Sequence, residues 1–363
     1  MILNANPAIS QFADTVVQWQ KKDGRHGLPW QGTTDPYKIW LSEIMLQQTQ
    51  VSTVIGYYER FLARFPDLQT LAQATQDEVM PYWAGLGYYA RARNLHRCAQ
   101  EICQHWHGRF PPQASDIMQL PGIGRSTAAA IAAFAYGERS PIMDGNVKRV
   151  FTRYFGIYGN PAVRATELAL WQTAEEVVQA APDSLDMAAY TQGLMDLGSG
   201  CCTRSSPNCN ACPLRTNCYA FTEMRQHELP TPKQKKQIDE RQCQMLILKN
   251  QDSVLLERRP SPGIWGGLWS LPQYEDLDSL KNACLNWGQT PVPAHKMAAL
   301  LHTFSHFRLH IEPWYVKCST PVLAQARPDQ AWISIQDLPA TALPAPVKKI
   351  LMGLFTELPL TLE

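Results

Sequence analysis

Five cysteines stand within eighteen residues in the stretch CCTRSSPNCNACPLRTNC, from Cys201 to Cys218. A C-x2-C pair suits zinc and iron alike, because both metals accept tetrahedral thiolate ligation. Zinc ribbons place two such pairs at a distance, whereas a single compact loop here must wrap one centre, which favours a [4Fe–4S] cluster and leaves zinc as the alternative. The spacing C-x6-C-x2-C-x5-C comprises Cys202, Cys209, Cys212 and Cys218. Cys201 lies outside it and is predicted to pack in the interior.

Length and composition indicate a protein of more than one domain. The chain has 363 residues, of which 45% are hydrophobic, and its formal net charge is +1. The sequence contains no run of about eighteen apolar residues and no signal-peptide pattern at its start, so we expect a cytoplasmic monomer without a membrane partner. In a reducing compartment a tight cysteine cluster predicts metal binding rather than disulfides.

The pattern of apolar residues changes after the cysteine stretch. Apolar positions recur at helical spacing from about residue 9 to 220, which predicts an all-α domain over residues 1–221. Residues 222–241 are polar and contain proline, and they are predicted to form a linker. The segments CQMLILK, SVLLERR and LHIEPWYVK that follow predict strands, and with two predicted helices they indicate an α+β domain over residues 242–363.

A glycine-containing turn lies between two predicted helices in LPGIGRSTAAAIAAFAYG, residues 120–137. Gly122 and Gly124 permit a tight turn, and the free backbone N–H groups at the start of the second helix can bind an anion such as a DNA phosphate. Most Gly-x-Gly turns only join helices, so the pattern alone is weak evidence.

Together, these two motifs resemble the helix-hairpin-helix and iron–sulfur loop of the endonuclease III and MutY group of DNA glycosylases. The resemblance covers most of residues 9–220. It implies a [4Fe–4S] cluster over residues 202–218 that orders a DNA-binding loop. Ser126 occupies the hairpin position at which lyase-competent relatives carry a Schiff-base lysine. Because a hydroxyl cannot form an imine, we predict a monofunctional glycosylase.

Two carboxylates are candidates for hydrolysing a purine N-glycosidic bond, which needs a proton donor and an anion beside the cationic sugar. Asp144, in PIMDGNVKRV, opens a helical segment and on pattern alone is a helix N-cap. Glu43, in WLSEIMLQQTQV, lies either at the edge of a solvated face or in a poorly solvated pocket that raises its pKa. Resemblance to MutY segments implies that Glu43 is the general acid, that Asp144 stabilises or traps the sugar cation, and that Asn146 hydrogen-bonds close to the sugar.

Further MutY-like positions imply contacts with a duplex whose target base has left the stack. Gln48 and Thr49, and Leu86 and Tyr88 in AGLGYYARARNL, match family positions near the lesion, although each also fits an ordinary packing or surface role.

The second domain resembles the Nudix-like domain of MutY enzymes over residues 255–273 and 302–310. The family's recognition loop implies that its tip reads 8-oxoguanine with Phe304, Ser305 and His306, whereas the plain alternative is a hairpin tip with satisfied polar groups. The Nudix hydrolase box is absent, so nucleotide hydrolysis is not expected.

We therefore expect a MutY-type glycosylase that acts on double-stranded DNA containing 8-oxoG·A or G·A mispairs. The alternatives are an endonuclease III-like bifunctional lyase and a catalytically silent iron–sulfur DNA-binding protein.

Overall fold

The computed structural model of the chain describes residues 7–232, 238–286, 295–318 and 327–357. Residues 233–237 of the predicted linker, and the ends of the predicted domains at residues 1–6 and 358–363, lie outside the described residues. The chain divides into two compact units. Unit 1 comprises Met1–Gln73 and Asn94–Lys235, and unit 2 comprises Ala74–Arg93 and Lys236–Glu363. The predicted domain limits at residues 221 and 242 stay predictions.

Helices make up the part of the chain before residue 223. They are α1 (Pro7–Asp23), α2 (Pro36–Leu46), α3 (Val51–Arg64), α4 (Leu68–Gln73), α5 (Gln76–Trp83), α6 (Ala90–His105), α7 (Ala114–Ile117), α8 (Arg125–Tyr136), α9 (Gly145–Phe155), α10 (Arg164–Ala180), α11 (Met187–Asp196) and α12 (Tyr219–Thr222). A π-helical turn over Leu197–Cys201 follows α11 and leads into the cysteine stretch. No helix within the described ranges is long and apolar enough to cross a membrane.

Unit 1 has a core to which α1 and α8–α11 contribute. Phe12 of α1 is fully buried and lies edge-on to Phe151 and Tyr154 of α9. Apolar positions three and four residues apart on these helices face this core, which explains the helical periodicity of the sequence. Cys202, Cys212 and Cys218 pack against the same core, so the cysteine stretch is joined to the helices by apolar contact as well as by the chain.

The remainder of unit 2 contains a mixed sheet and two helices. The strands are β1 (Asp239–Asn250), β2 (Ser253–Arg258), β3 (Trp269–Ser270), β4 (Gln273–Tyr274), β5 (His295–Lys296), β6 (Leu300–Thr303), β7 (Phe307–Lys317) and β8 (Gln330–Ser334). The helices α13 (Leu277–Asn286) and α14 (Ala345–Glu357) accompany them. The sheet order is β3-β2-β1-β7-β5, with β4 on β1, β6 on β7 and β8 on β2.

The long pairing of β1 with β7 is parallel, from Asp239 opposite Phe307 to Lys249 opposite Lys317. Residues 243–248 of β1 are all buried, which is the pattern of a strand covered on both faces. The segments CQMLILK and SVLLERR, both predicted as strands, pair with each other as the antiparallel β1–β2 hairpin. The hairpin from β6 to β7 places residues 304–306 at its tip.

Close packing of α1 on α11 generates a stability prediction. A Cβ added to Gly193 would lie 2.7 Å from Cγ1 of Val16 and 3.1 Å from its carbonyl oxygen. We expect Gly193→Ala to lower the free energy of unfolding by about 1–2 kcal/mol, because overpacking outweighs the gain in helix propensity. Denaturant unfolding measures this. Gly56→Ala, in α3 with nothing within 4 Å of the new Cβ, is the control and should stabilise the protein by up to about 1 kcal/mol. Equal effects of the two substitutions would contradict the predicted clash.

Candidate active site

Asp144 is held in a defined position at the start of α9. It is the N-cap of this helix, and its Oδ1 accepts a hydrogen bond from the backbone N–H of Val147 at 2.7 Å. One residue earlier, the backbone N–H of Met143 donates to the hydroxyl of Ser126, in the first turn of α8, at 2.9 Å. Both sides of the Asp144 turn are therefore fixed by hydrogen bonds. Ser126, at the position where the family resemblance implies a Schiff-base lysine in lyase-competent relatives, here fixes the segment that carries the carboxylate.

Glu43 lies in α2 among apolar neighbours. This helix begins at Pro36 after the N-cap Asp35, and most of its residues around Glu43 are buried. Burial, together with a smaller contribution from repulsion by the nearby Asp144 carboxylate, raises the pKa of Glu43 to about 8. At neutral pH Glu43 therefore carries a proton. Of the two sequence alternatives for this residue, the structure supports the poorly solvated pocket.

Asp144 has a different environment from Glu43. Burial raises the pKa of Asp144 above its ordinary value, while hydrogen bonds from the backbone N–H groups of Val147 and Asn146, and the positive charges of Arg149 and Lys148, limit the rise. These interactions favour the anion. One carboxyl group is thus suited to donate a proton and its neighbour to remain negative, a division of roles that acid-assisted cleavage of a glycosidic bond requires.

Two arginines of α9 connect this site to the cysteine stretch. The guanidinium of Arg149 donates to the carbonyl oxygens of Cys202 at 2.7 Å and Gly198 at 2.6 Å, and to Oδ1 of Asn146 at 2.8 Å. The contact with Arg149 fixes the side-chain amide of Asn146, two residues from Asp144. Sequence reasoning missed Arg149, although a charged residue next to DGN in an amphipathic helix was a usable signal.

Arg153, one turn further along α9, is 3% exposed. It donates to the carbonyl oxygens of Thr203 at 2.7 Å and Leu229 at 2.8 Å, and its Nη1 lies 3.3 Å from Sγ of Cys202. A buried guanidinium needs such acceptors, so Arg153 and this loop stabilise each other.

The four cysteines of the C-x6-C-x2-C-x5-C pattern line one cavity, which is partly open to solvent. Arg153 and Cys201 also line it, and the thiol of Cys201 donates to the carbonyl oxygen of Asn208 at 3.2 Å. Over the described parts of the chain, no three His, Cys, Asp or Glu side chains converge as ligands of one metal ion. Four thiols in this compact spacing around one cavity fit the ligand set of a [4Fe–4S] cluster, and their chemistry also suits zinc.

The predicted DNA-contact residues of unit 1 lie at the ends of helices. Gly122 has a φ of 78°, and a Cβ there would lie 2.6 Å from Cβ of Asn94, so the turn requires glycine. Gly124 is the exposed N-cap of α8 and makes no side-chain cap, so the first N–H groups of this helix can bind an anion. Gln48 is exposed with a φ of 56° just after α2, and Thr49 donates to the carbonyl oxygen of Gln47.

Tyr88 and Leu86 lie in unit 2, in a turn with unusual backbone geometry. The φ angles are 106° at Gly85, 70° at Gly87 and 48° at Tyr88. Tyr88 is 48% exposed, whereas Leu86 is 6% exposed. Of this pair, Tyr88 is therefore the side chain that presents its ring to solvent. Leu86 packs inside the unit.

The β6–β7 tip presents polar groups next to an aromatic cluster. Ser305 and His306 are exposed, and the Ser305 hydroxyl lies 3.3 Å from Nδ1 of His306. Phe304 stacks on Phe307 with ring centroids 4.4 Å apart, and it also contacts Trp265. The ring of Phe304 is thus anchored, while the hydroxyl and the imidazole face outward.

Comparison with known proteins identifies two families of domain in the chain. Residues 41–176 match the HhH-GPD superfamily of base excision DNA repair proteins, and residues 243–353 match the NUDIX domain. The adenine DNA glycosylase of Buchnera aphidicola (Schizaphis graminum) is 36% identical over 345 residues, which cover 94% of this chain and 97% of the relative. The chain belongs to the adenine DNA glycosylase family. The human adenine DNA glycosylase is 30% identical, covering 94% of this chain and 73% of its own length.

Solved structures agree on the fold of the helical part. A thermostable thymine-DNA glycosylase aligns with a TM-score of 0.54 and 29% identity, covering 60% of this chain and 98% of its own. An endonuclease III–DNA complex aligns with a TM-score of 0.50 and 20% identity, covering 60% and 98%. The predicted combination of a helix-hairpin-helix domain with a Nudix-like α+β domain is confirmed, as is the predicted glycosylase family with its hydrolytic action on the N-glycosidic bond. The roles of individual residues stay predictions.

The raised pKa of Glu43 predicts a pH-dependent stability difference. The folded state keeps this carboxyl protonated up to about pH 8, while in the unfolded chain its pKa is near the ordinary value of 4.5. Between about pH 4.5 and pH 8 this carboxyl loses its proton in the unfolded chain but keeps it in the folded protein. The free energy of unfolding therefore falls as pH rises. Glu43→Gln should therefore exceed the wild type in thermal stability at pH 7–8, with the difference shrinking toward pH 4.5. Glu59→Gln, at an exposed position of α3, is the control, and its effect on thermal stability should not grow with pH in this way. An effect of Glu43→Gln that does not change with pH would contradict the raised pKa of Glu43.

Proposed function

We propose that this chain removes adenine mispaired with 8-oxoguanine or guanine in double-stranded DNA and leaves an abasic site. The observation that carries the proposal is the pairing of a protonated Glu43 with the capped carboxylate Asp144 in a member of the adenine DNA glycosylase family. A hydrolase of this kind needs an acid for the leaving base and an anion for the sugar.

The reaction follows from these two groups. Glu43 delivers its proton to a ring nitrogen of adenine, and the C1′–N9 bond breaks with its electron pair leaving on the base. Asp144 stabilises the positive charge that develops on the sugar, as a preorganised anion in a poorly solvated site does most effectively. Water then forms the new bond to C1′ and releases a proton, which can return to Glu43. Asn146, fixed by Arg149, hydrogen-bonds next to the sugar.

Strand cleavage is not part of this function. Covalent lyase chemistry needs an amine that attacks C1′. Ser126 supplies only a hydroxyl, and that hydroxyl already accepts the hydrogen bond from the N–H of Met143. The product is therefore an intact strand with an abasic site.

The tip of the β6–β7 hairpin is the proposed reader of the opposite base. In 8-oxoguanine the Hoogsteen edge carries a donor at N7 and an acceptor at O8, so a reader must provide a complementary acceptor and donor. The exposed Ser305 hydroxyl and His306 imidazole offer both, next to the anchored Phe304 ring. Gln48, Thr49 and Tyr88 are the proposed contacts that occupy the duplex where the adenine has left.

The cysteine cavity is the proposed site of a [4Fe–4S] cluster with Cys202, Cys209, Cys212 and Cys218 as ligands. When bound, the cluster orders the loop of residues 202–218 and supplies no step of the hydrolysis. Arg204 and Arg215, both exposed on this loop, are then in place to contact phosphates. A reducing cytoplasm, which we propose as the compartment of this chain, keeps cysteine thiols available as cluster ligands.

Single-turnover release of adenine tests the function. We expect fast release from 8-oxoG·A, slower release from G·A and none from T·A duplexes. Asp144→Asn should abolish release, because an amide cannot support the sugar cation. Asp186→Asn is the matched control, since Asp186 caps α11 through the N–H of Ala189 as Asp144 caps α9. Borohydride should trap no covalent complex. Equal release from T·A and 8-oxoG·A, or a trapped imine, would overturn the proposal.

Iron analysis tests the cluster. Protein purified without oxygen should hold about four iron atoms per chain and absorb in the visible range. Cys212→Ser should lose both, whereas Cys201→Ser, which lines the same cavity outside the ligand pattern, should retain them. Zinc in place of iron in the wild type would contradict the cluster.

A further inference from the structure

The exposed Tyr88 belongs to a segment that is built into unit 2. Residues 74–93 form one compact unit with residues 238–357, although they lie between helices of unit 1 in the sequence. This segment comprises α5, the turn of residues 85–88, hereafter the wedge turn, and the start of α6. The wedge turn is braced from within: the guanidinium of Arg91 donates to the carbonyl oxygens of Leu86 at 3.2 Å and Gly87 at 3.3 Å. The indole N–H of Trp83 also donates to the Gly87 carbonyl, at 3.2 Å.

Polar contacts join this segment to a loop of residues 258–268, hereafter the connecting loop. The Arg258 guanidinium forms an ion pair with Asp77 at 2.5 Å. The guanidinium of Arg93 donates a short hydrogen bond to the carbonyl oxygen of Gly266. At Gly267, φ is 82° and an added Cβ would lie 2.8 Å from Nε2 of Gln76, so the side chain of Gln76 packs closely against the backbone of the connecting loop there.

The connecting loop has a defined conformation. Backbone hydrogen bonds between Arg259 and Leu268 at 2.8 Å, and from Gly267 to Arg259 at 2.9 Å, close its two ends on each other. Trp265 adopts a φ of 56°, which is uncommon for a bulky side chain, and it is buried. A loop closed in this way transmits a displacement at one residue to its neighbours.

The same connecting loop holds the tip of residues 304–306, hereafter the reader tip. The ring of Trp265 contacts Phe304 at 5.5 Å and His302 at 5.9 Å between centroids. Trp265 and Gly266 are adjacent residues, so one peptide unit separates the contact with the reader tip from the contact with Arg93. From Arg93 it is two residues along α6 to Arg91, which braces the wedge turn.

We infer that Arg93, Asp77 and the connecting loop couple the reader tip to the wedge turn, so that the base read by one determines how the other enters the duplex. Arg93 and Asp77 are positioning residues in this role and contact neither the adenine nor the reacting sugar atoms. The inference rests on the proposed function, because it concerns how recognition of the opposite base reaches the duplex-opening side chain. Energetic coupling can be carried by a contiguous set of contacts. The steps here are hydrogen bonds, an ion pair and ring contacts, joined by the backbone between Trp265 and Gly266 and between Arg91 and Arg93.

Hydrogen exchange of the free protein tests the link without catalysis. Phe304→Ala should speed amide exchange in residues 84–90 of otherwise wild-type protein. In an Arg93→Ala background the same substitution should leave the exchange of residues 84–90 unchanged, because the path is already broken. Lys296→Ala, which breaks the ion pair with Glu312 on β5 and β7, is the control and should leave these amides unaffected. The link is overturned if Phe304→Ala has the same effect in both backgrounds, or none in either.

Single-turnover rates test the consequence for specificity. Arg93→Ala should reduce the ratio of the rates on 8-oxoG·A and G·A by about tenfold, with the rate on G·A retained. If Arg93→Ala fails to fold, Asp77→Asn serves instead. Asp77 is exposed, and this substitution breaks its ion pair with Arg258, so it should also reduce the ratio of the two rates. An unchanged ratio in a folded variant overturns the inference. If the wild type releases no adenine, the proposed function is wrong, and the exchange experiment alone decides whether the link exists.

Discussion

The buried guanidinium of Arg153 is the constraint on which much of unit 1 depends. It is 3% exposed and obtains its acceptors from backbone carbonyls at residues 203, 204 and 229 and from the sulfur of Cys202. An unsatisfied buried guanidinium would be strongly destabilising, so the loop that carries the cysteines must close onto α9. Arg149 adds two further carbonyl acceptors from the same region, at Gly198 and Cys202.

Because α9 also begins with Asp144, one helix joins the proposed catalytic carboxylate to the proposed cluster loop. The N-cap interaction fixes the carboxylate, and the arginines fix the loop one and two turns away. The loop can therefore affect the site without taking part in the reaction. This arrangement also gives the arginines a structural purpose that their charge alone would not have revealed.

Local sequence signals were sufficient for much of this architecture. Cysteine spacing, the Gly122-x-Gly124 turn and the DGN segment each lie within a short stretch, where capping, turn geometry and ligand spacing determine the structure. The β1–β2 hairpin was predictable for the same reason. Asp144 is both a helix N-cap and a candidate catalytic group, so the two interpretations of its sequence pattern were compatible rather than exclusive.

Contacts between residues far apart in the chain could not be predicted from the sequence. Nothing in the β1 segment specifies a parallel partner more than sixty residues away, because parallel pairing has no connecting turn to announce it. The network in which Asp196 accepts from Arg25 at 2.7 Å and 2.9 Å and from Gln192 at 2.8 Å was likewise missed. Only Gln192 lies near Asp196 in the sequence, and 171 positions separate Asp196 from Arg25. Packing of residues 74–93 with unit 2 is a third example, since helical periodicity identifies α5 but does not determine which unit it joins.

The proposed specificity for adenine opposite 8-oxoguanine accounts for the presence of a second unit. Adenine opposite 8-oxoguanine is chemically the same base as adenine opposite thymine, so contacts within an adenine pocket bind both equally and discriminate neither. Discrimination must come from a group that differs between the duplexes, which is the opposite base. The proposed acid Glu43 and the proposed anion Asp144 would act on any adenine that entered the pocket. A separate reader of the opposite base therefore has to act before the adenine enters the pocket, at the stage when the duplex opens. A reader that shares a compact unit with the duplex-opening side chain meets this requirement, because binding energy gained at the opposite base can then alter the cost of unstacking.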